Sequence, residues 1–356
     1  MTNNKYYDGT KLLSMLDING NKPEIYLVTS NRTAGKTTYF HRLLLNRYFN
    51  KGEKFCLLYR FSYMLDDVAG KFFKDIGNLF FKEYTCISEK RSKGVYHEIY
   101  IVKKDEADNK DAWQSIGYAI AINNGNAIKN FSHYFSDVRT IYFDEFQAEF
   151  GGYAQNEVQK FQSIHTSIAR GNGEQVRYVP VIMSANTVSI INPYFYALGI
   201  STRIDKNTKF LKGDGFVLEC NYNEEAEKAQ ESSAFNRALN NAYNEYQNKG
   251  MYMLDNTNFI EKMKGKNRYI CTLLYNGKEY SVRDYGTILY VSKNVDSGYP
   301  VRLAIGVNSH EVNAIMVSRS IAYIIQFEDA FKKGAMRFQS LEEKEAIINM
   351  LNMQYK

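Results

Sequence analysis

Glu24-Ile25-Tyr26-Leu27-Val28-Thr29-Ser30-Asn31-Arg32-Thr33-Ala34-Gly35-Lys36-Thr37 is the stretch that decides the fold of this chain. Its first six residues are mainly apolar, β-branched or aromatic, which predicts a buried strand. Ser30 to Thr37 reads as a turn. Beyond it Phe40, Leu43, Leu44 and Tyr48 recur at helical spacing, so a helix begins where the turn ends. A strand, a tight loop, Gly-Lys-Thr and a helix together make a cradle for phosphate. The helix start offers unpaired backbone N–H groups and the positive end of its dipole. Lys36 adds a mobile charge for the β- and γ-phosphates, and the Thr37 hydroxyl is a ligand for Mg²⁺. Ser30 stands where the G-x-x-x-x-G-K-[ST] pattern has its first glycine. Taken alone, the match leaves an ordinary strand-to-helix turn open.

The second half of such a site lies in Arg139-Thr140-Ile141-Tyr142-Phe143-Asp144-Glu145-Phe146. A mainly apolar strand leads into two adjacent carboxylates. It aims Asp144 at the Mg²⁺ shell and Glu145 at the water that attacks the γ-phosphate. A buried strand ending in two exposed acids is the bland alternative. The two halves occur in the right order and at a domain-scale distance, which favours a nucleoside triphosphatase. Three further polar residues are candidates. Arg60 ends the second strand, where it faces phosphate or pairs with a carboxylate. Arg170 follows a helix over Glu157 to Ala169, either swinging toward a phosphate or serving as a helix C-terminal cation. Asn186 ends the strand that begins at Val179, as a γ-phosphate sensor or as an ordinary turn residue.

At 356 residues the chain has room for about two domains. The net charge of +6 suits a polyanionic partner, although many proteins this basic bind no nucleic acid. Cys56, Cys86, Cys220 and Cys271 contain no C-x-x-C pair, which argues against a zinc ribbon or a disulfide framework and fits a reducing cytoplasm. The histidines His41, His97, His133, His165 and His310 are scattered and suggest no metal site. No apolar run is long enough to span a bilayer and no signal region is evident, so a soluble, non-exported protein is expected, with no membrane partner.

Along the chain, Leu12, Leu13 and Leu16 predict a short first helix. Tyr6 and Tyr7 pack on it or stack on adenine. Phe55 to Tyr59 is a second buried strand. Tyr84 to Ile87 and Val95 to Val102 predict a hairpin whose loop carries Lys90 and Arg91. That basic cluster is a solvated turn or a nucleic-acid contact. Gly117 to Ile122 is a strand, and 123–130 a polar, flexible loop bearing Lys129. Val158, Phe161, Ile164 and Ile168 form the apolar face of the Glu157 helix, with His165 a structural histidine. Thr208 to Leu211 and Gly215 to Cys220 complete a first domain over 1–222. An acidic-polar helical linker occupies 223–265. A small α+β domain fills 266–356, with strands at Arg268 to Tyr275, Glu279 to Arg283 and Thr287 to Ser292. Asn276-Gly277 is its hairpin turn, and two helices carry Ile321, Ile324, Ile325, Phe331 and Leu341, Ile347, Ile348, Leu351.

This constellation resembles the viral DNA-packaging ATPases of the terminase class, most closely the compact encapsidation ATPases of small podophages (Picovirinae type). The resemblance rests on the Ser30 to Thr37 loop, with its serine in place of glycine and its Arg32. It rests also on Ile141 to Glu145 followed by a helix and Arg170, and on the small domain after the linker. It implies an α/β fold: a P-loop NTPase sheet of ASCE type, then an RNase H-like vestigial nuclease domain. Mg²⁺ and ATP are its implied ligands, held by Ser30, Asn31, Arg32, Thr33, Ala34, Gly35, Lys36, Thr37, Thr38, Asp144 and Asn186, with Thr37 and Asp144 on the metal. Glu145 is the implied base, and Arg32 and Arg170 are implied arginine fingers in cis and in trans. Lys129 is similar to a pore-facing lysine that grips DNA.

The implied function is a ring, pentameric by resemblance, that drives double-stranded DNA through the portal of an empty capsid. A structural RNA is a possible further partner, and the host cytoplasm is the setting, transiently on the procapsid. Asp284 and Asp296 are isolated, so the second domain is expected to bind nucleic acid or dock the motor without cutting. A helicase or other ring translocase, and a non-catalytic ATP-binding assembly factor, are the rival readings.

Overall fold

The computed structural model describes residues 6–148, 152–171, 173, 175–189, 192–200, 203–204, 208–234, 238, 259–306, 309–317, 322–333 and 335–353. The chain divides into two compact units, Met1–Leu254 and Asp255–Lys356. Most of the predicted linker, with Arg237 and Lys249, lies outside the described residues.

The first unit opens with a short helix α1 (Thr10–Ser14), then β1 (Ile25–Ser30) and α2 (Lys36–Lys51). β2 (Lys54–Tyr59), α3 (Val68–Phe80), β3 (Tyr84–Arg91), β4 (Tyr96–Lys103) and β5 (Gln114–Ala121) follow. Next come α4 (Gly125–Ile128), β6 (Val138–Asp144), α5 (Glu157–Ile168), β7 (Val181–Asn186) and α6 (Pro193–Ala197). β8 (Phe210–Gly213), β9 (Phe216–Cys220) and α7 (Glu224–Ser232) complete the described part. The strands form one sheet in the order β3-β4-β5-β2-β6-β7-β1-β9-β8. The six from β5 to β9 in that order are parallel, and β3, β4 and β8 are antiparallel additions at the two edges.

Helices cover both faces, so the central strands are apolar on both sides and read as continuous hydrophobic runs. β1 shows this directly. Tyr26 and Val28 join a core with Phe40, Leu44 and Phe72. Leu27 points into the opposite core with Phe143, Phe161 and Ile164. One strand, β7, separates the phosphate-loop strand β1 from the acidic strand β6, the arrangement expected of an ASCE sheet. In register, Ser30 lies beside Asn186 and Asp144 beside Ser184. The functional ends of three strands therefore meet at one edge of the sheet, outside their carboxyl ends.

Several local expectations change. The hairpin strands run to Arg91 and from Tyr96, so the predicted loop shrinks to a turn around Ser92–Gly94, and Lys90 and Arg91 sit on a strand. Cross-strand pairing, Lys90 with His97 and Arg91 with Tyr96, outweighs the polar composition that suggested a loop. The predicted flexible loop 123–130 is instead wound into helical turns, because Ile128 and Phe135 anchor it in the core under α5. α3 has no counterpart in the sequence reading. It buries Val68, Phe72, Phe73 and Ile76 against α2 and β2, and the Asp67 carboxylate caps its start by accepting from Gly70 N–H at 3.2 Å. Leu16, expected on the first helix, lies beyond it and is exposed.

The second unit contains β10 (Arg268–Tyr275), β11 (Lys278–Asp284), β12 (Leu289–Ser292), β13 (Arg302–Ala304), β14 (Ile315–Met316) and β15 (Met336–Phe338). Their order is β14-β13-β10-β11-β12-β15. β10, β11 and β12 form an antiparallel meander. β13 lies parallel to β10, and β14 parallel to β13, the strand order of an RNase H-like sheet. Asn276 and Gly277 both take positive φ, 50° and 74°, as a two-residue hairpin turn requires. Helices α8 (Ala322–Lys332) and α9 (Leu341–Met353) pack on the sheet through Ile324, Phe327, Ala330, Ala346, Ile347 and Met350. Of the apolar residues that marked this helix in the sequence, Ile321 lies outside the described residues and Ile325 and Phe331 are exposed; Phe327 and Ala330 join Ile324 on the buried face.

Candidate nucleotide site

The loop between β1 and α2 is built for close approach. Gly35 caps α2 in the left-handed region at φ 89°, a conformation that costs a residue with a Cβ. The Tyr6 ring lies against it, 3.4 Å from where a Cβ would stand. The Lys36 side chain folds back under the loop. Its Nζ donates to Ser30 Oγ at 2.5 Å, to the Asn31 carbonyl at 3.3 Å and to Asn186 Oδ1 at 3.4 Å. Serine in place of the usual glycine thus supplies a hydroxyl that parks the lysine. Burial pulls the Lys36 ammonium down to about 8, against the opposing attraction of Asp144. The charge therefore sits poorly solvated and ready for an anion.

Across β7, Asp144 is held from two sides. Thr37 Oγ1 donates to its Oδ2 at 2.7 Å; Ser184 Oγ donates to its Oδ1 at 2.5 Å, and the Glu145 N–H adds a bond at 3.0 Å. The Tyr142 hydroxyl joins Ser184 at 2.8 Å. Ser184 had no place in the sequence reading, although a serine closing the apolar run Val181-Ile182-Met183 was its visible trace. Glu145 takes φ 56°, rare for a residue with a side chain, which turns it out of the strand into solvent.

Arg60 explains how that turn is held. At the tip of β2 its Nε meets the Glu157 carboxylate at 2.9 Å and 3.1 Å, and its Nη2 donates to the carbonyls of Glu145 and Phe146 at 3.1 Å and 2.8 Å. Glu157 also accepts from the Tyr194 hydroxyl and the Ala154 N–H, so the buried pair is fully bonded. Of the two open readings for Arg60, pairing with a carboxylate is the one realised.

Arg32, Thr33, Ala34, Gly35, Lys36, Thr37, Thr38, Asp144, Glu145 and Asn186 line one cavity of about 900 Å³. Tyr6, Tyr39, Arg42, Leu79 and Phe80 complete its wall, with Arg42 stacked 4.1 Å over the Phe80 ring. The sequence reading missed Arg42, Leu79 and Phe80, because the last two belong to the unforeseen α3. Tyr7 shares this wall but is buried, and its hydroxyl donates to Glu219 at 2.7 Å, so it packs rather than stacks.

Asn31 faces away from the cavity in its side chain. It exchanges two hydrogen bonds with the Asn223 backbone, 3.0 Å and 2.9 Å, tying the phosphate loop to the start of α7. Thr37 and Asp144 present hard oxygen donors side by side, a fit for Mg²⁺.

Arg170, Lys129, Lys90 and Arg91 lie outside this cavity. Arg170 is exposed after α5, beside Gly171 at φ 110°. The turn is anchored by Arg177, which donates to the carbonyls of Val138, Phe135 and Ile168. Lys129 is exposed. Lys90 pairs with Asp66 at 3.1 Å, and Arg91 with Glu98 and Glu89, both at 3.1 Å. His165 meets the Val179 carbonyl at 3.0 Å, the structural role expected.

Among the described residues of the second unit, Asp284 pairs with Arg268 at 3.0 Å and Asp296 accepts from Gly298 N–H at 3.0 Å. No helix among the described residues is long and apolar enough to cross a membrane.

The DNA packaging protein of Bacillus phage phi29 is 26% identical over 280 residues, covering 78% of this chain and 75% of that protein. The DNA packaging protein of Bacillus phage B103 is 25% identical over 323 residues, covering 88% and 92%. The solved bacteriophage phi29 viral genome packaging motor assembly matches the fold with a TM-score of 0.63 at 21% identity, over 98% of this chain and 97% of the other. The family model for the Podovirus DNA encapsidation protein (Gp16) matches residues 1–354, and with that coverage the chain belongs to this family.

Proposed function

We propose that this protein is the ATPase of a viral DNA-packaging motor. One observation carries the reading: Lys36, Thr37, Asp144 and Glu145, from two segments far apart in sequence, face a single cavity. In this reading Gly35 and the start of α2 receive the phosphates through backbone N–H groups, and Lys36 leaves Ser30 for the β- and γ-oxygens. Thr37 and Asp144 hold Mg²⁺, which when bound neutralises charge on the phosphates. Glu145 orients and deprotonates the attacking water. Arg32, which lines the same cavity, steadies the developing charge in cis. The exposed Arg170 acts in trans, on the site of a neighbouring copy in a ring, which we propose to be a pentamer. Asn186, bonded to Lys36, senses loss of the γ-phosphate. The Asn31–Asn223 clasp carries that change to the helix that opens the linker.

Double-stranded DNA, the portal of an empty capsid and other copies of this chain are the proposed partners, with a structural RNA possible on the capsid side. Lys129, Lys90 and Arg91 are proposed DNA contacts, and the second unit docks the motor without cutting. The test is ATP hydrolysis with and without duplex DNA and empty capsids, for the parent and Lys36→Ala. The expected result is turnover stimulated by both and reduced to background by the substitution. Strand separation by the purified chain would move the reading to a helicase. ATP binding without turnover under every condition would make it an assembly factor.

A further inference from the structure

At the end of the parallel sheet opposite the phosphate loop lies a second cavity, of about 290 Å³, lined by Lys22, Arg47, Lys51, Arg139, Glu53 and Tyr178 among others. Four cations from three separate segments meet one acid. Lys22 precedes β1, Arg47 and Lys51 end α2, Arg139 opens β6, and Tyr178 precedes β7. The charge is little neutralised. Among the described residues Lys22, Arg47 and Arg139 make no ion pair, and Lys51 reaches Glu53 only at 4.0 Å. Arg47 is oriented by donating to Thr140 Oγ1 at 3.1 Å.

The carbonyl end of α2 draws Arg47 and Lys51, but it accounts for neither Lys22 nor Arg139. Tyr178 is 38% exposed, and its hydroxyl is fixed to the Pro23 carbonyl at 2.7 Å. Lys22 rests 4.3 Å over its ring. Guanidinium and ammonium groups largely free of ion pairs, converging on one shallow hollow, suit a phosphodiester backbone by charge and by bidentate hydrogen bonding. Tyr178 serves to hold the Lys22 ammonium in place through its ring face.

The geometry points to a nucleic-acid phosphate-backbone site formed by Lys22, Arg47, Lys51 and Arg139, remote from the nucleotide cavity. It extends the proposed function to a second surface, since neither Lys90, on β3, nor Lys129, in the helical turns before β6, lines this hollow. The site reads charge and not sequence. Its ligand is duplex DNA or RNA, two sources of the same chemistry.

The experiment measures binding of the full chain, without nucleotide, to a labelled DNA duplex and to an RNA duplex of the same sequence between roughly 50 and 200 mM salt. Parent, Arg139→Glu with Lys22→Glu, and the milder Arg139→Gln with Lys22→Gln are compared. Both side chains are exposed, and thermal unfolding checks that the fold persists. The expected result is at least a tenfold weaker Kd for the charge reversal and a log–log salt slope smaller by about 2, since each lost phosphate contact removes about 0.9. The duplex showing the larger change identifies the source. Unchanged affinity and slope for both duplexes overturns the assignment, as does a larger loss for a polyglutamate peptide than for either duplex. Because no nucleotide is present, either failure leaves the ATPase reading standing, and failure of that reading leaves this site untouched.

Discussion

The carboxyl end of the first unit's sheet and the sheet of the second unit use polar residues in opposite ways. In the first, Lys36, Asp144 and Asn186 leave the tips of adjacent strands or the loop beside them and converge on one cavity, with Ser184 buried behind Asp144 and bonded to it. In the second, acids are engaged singly, each with its own cations or turn. Glu342 serves Lys278 and Lys293 at 2.6 Å each, Asp284 serves Arg268, and Asp296 closes a turn. A parallel sheet sends successive strand ends to one edge, where a switch of crossover direction opens a crevice. A short antiparallel meander scatters its turns to both ends. Polar groups on the first kind of sheet accumulate, and on the second they are dispersed.

The contrast is sharpest in chemistry. Glu145→Gln keeps the shape of the side chain and removes the proposed base. Nucleotide binding is expected to persist while turnover falls roughly 10²–10⁴-fold, the usual contribution of general-base catalysis. Single-turnover hydrolysis measures it, and intact hydrolysis breaks the assignment of this residue.

Arg60 tests whether convergence depends on buried support. Arg60→Ala leaves Glu157 charged and unpaired, at an expected cost of about 3–5 kcal/mol seen in denaturant unfolding. Arg60→Met with Glu157→Leu should recover much of that loss. Turnover should stay low in the recovered variant, because nothing then holds the Glu145 and Phe146 carbonyls. Full recovery of activity would reduce Arg60 to packing.

His41 offers a pH probe of the same region. It is buried between the rings of Phe72 and Tyr142, and burial lowers it from the ordinary 6.5 to about 4. The unfolded chain therefore binds a proton that the folded one refuses. Stability is fully present above pH 6.5 and is lost as pH falls toward 4, by an amount on the order of 3 kcal/mol. Urea unfolding from neutral pH downward should show this slope, and His41→Gln should flatten it.

The smallest effect belongs to the second unit. Asp284→Asn with Asp296→Asn removes an exposed pair and a turn bond, for an expected loss below about 1 kcal/mol in the thermal transition and no change in ATP turnover. A large loss of activity would mean that the second sheet also gathers function.

Much of the nucleotide site was legible because its parts are local: a strand, a loop and a helix start around Gly35-Lys36-Thr37, and a strand leading to Asp144 and Glu145. Arg60, Ser184 and Arg42 were not legible in their roles, since each acts through a partner about 40 to 100 positions away. α3 went unread because its amphipathic face, Val68, Phe72, Phe73 and Ile76, is interrupted by two glycines. Lys90 and Arg91 were misplaced in a loop because polar composition is a weaker influence than pairing with β4.

By itself the sequence determined the two halves of the cradle, the continuous apolar run that buries β1 on both faces, and the switch in composition after Asn223. The tertiary structure decided which strand lies between those halves, what holds Glu145 in its left-handed turn, and that four dispersed cations share one hollow. The physical reason is range. Backbone propensity and periodicity act over a few residues, whereas sheet order and buried hydrogen bonds are settled only when distant segments exclude water together.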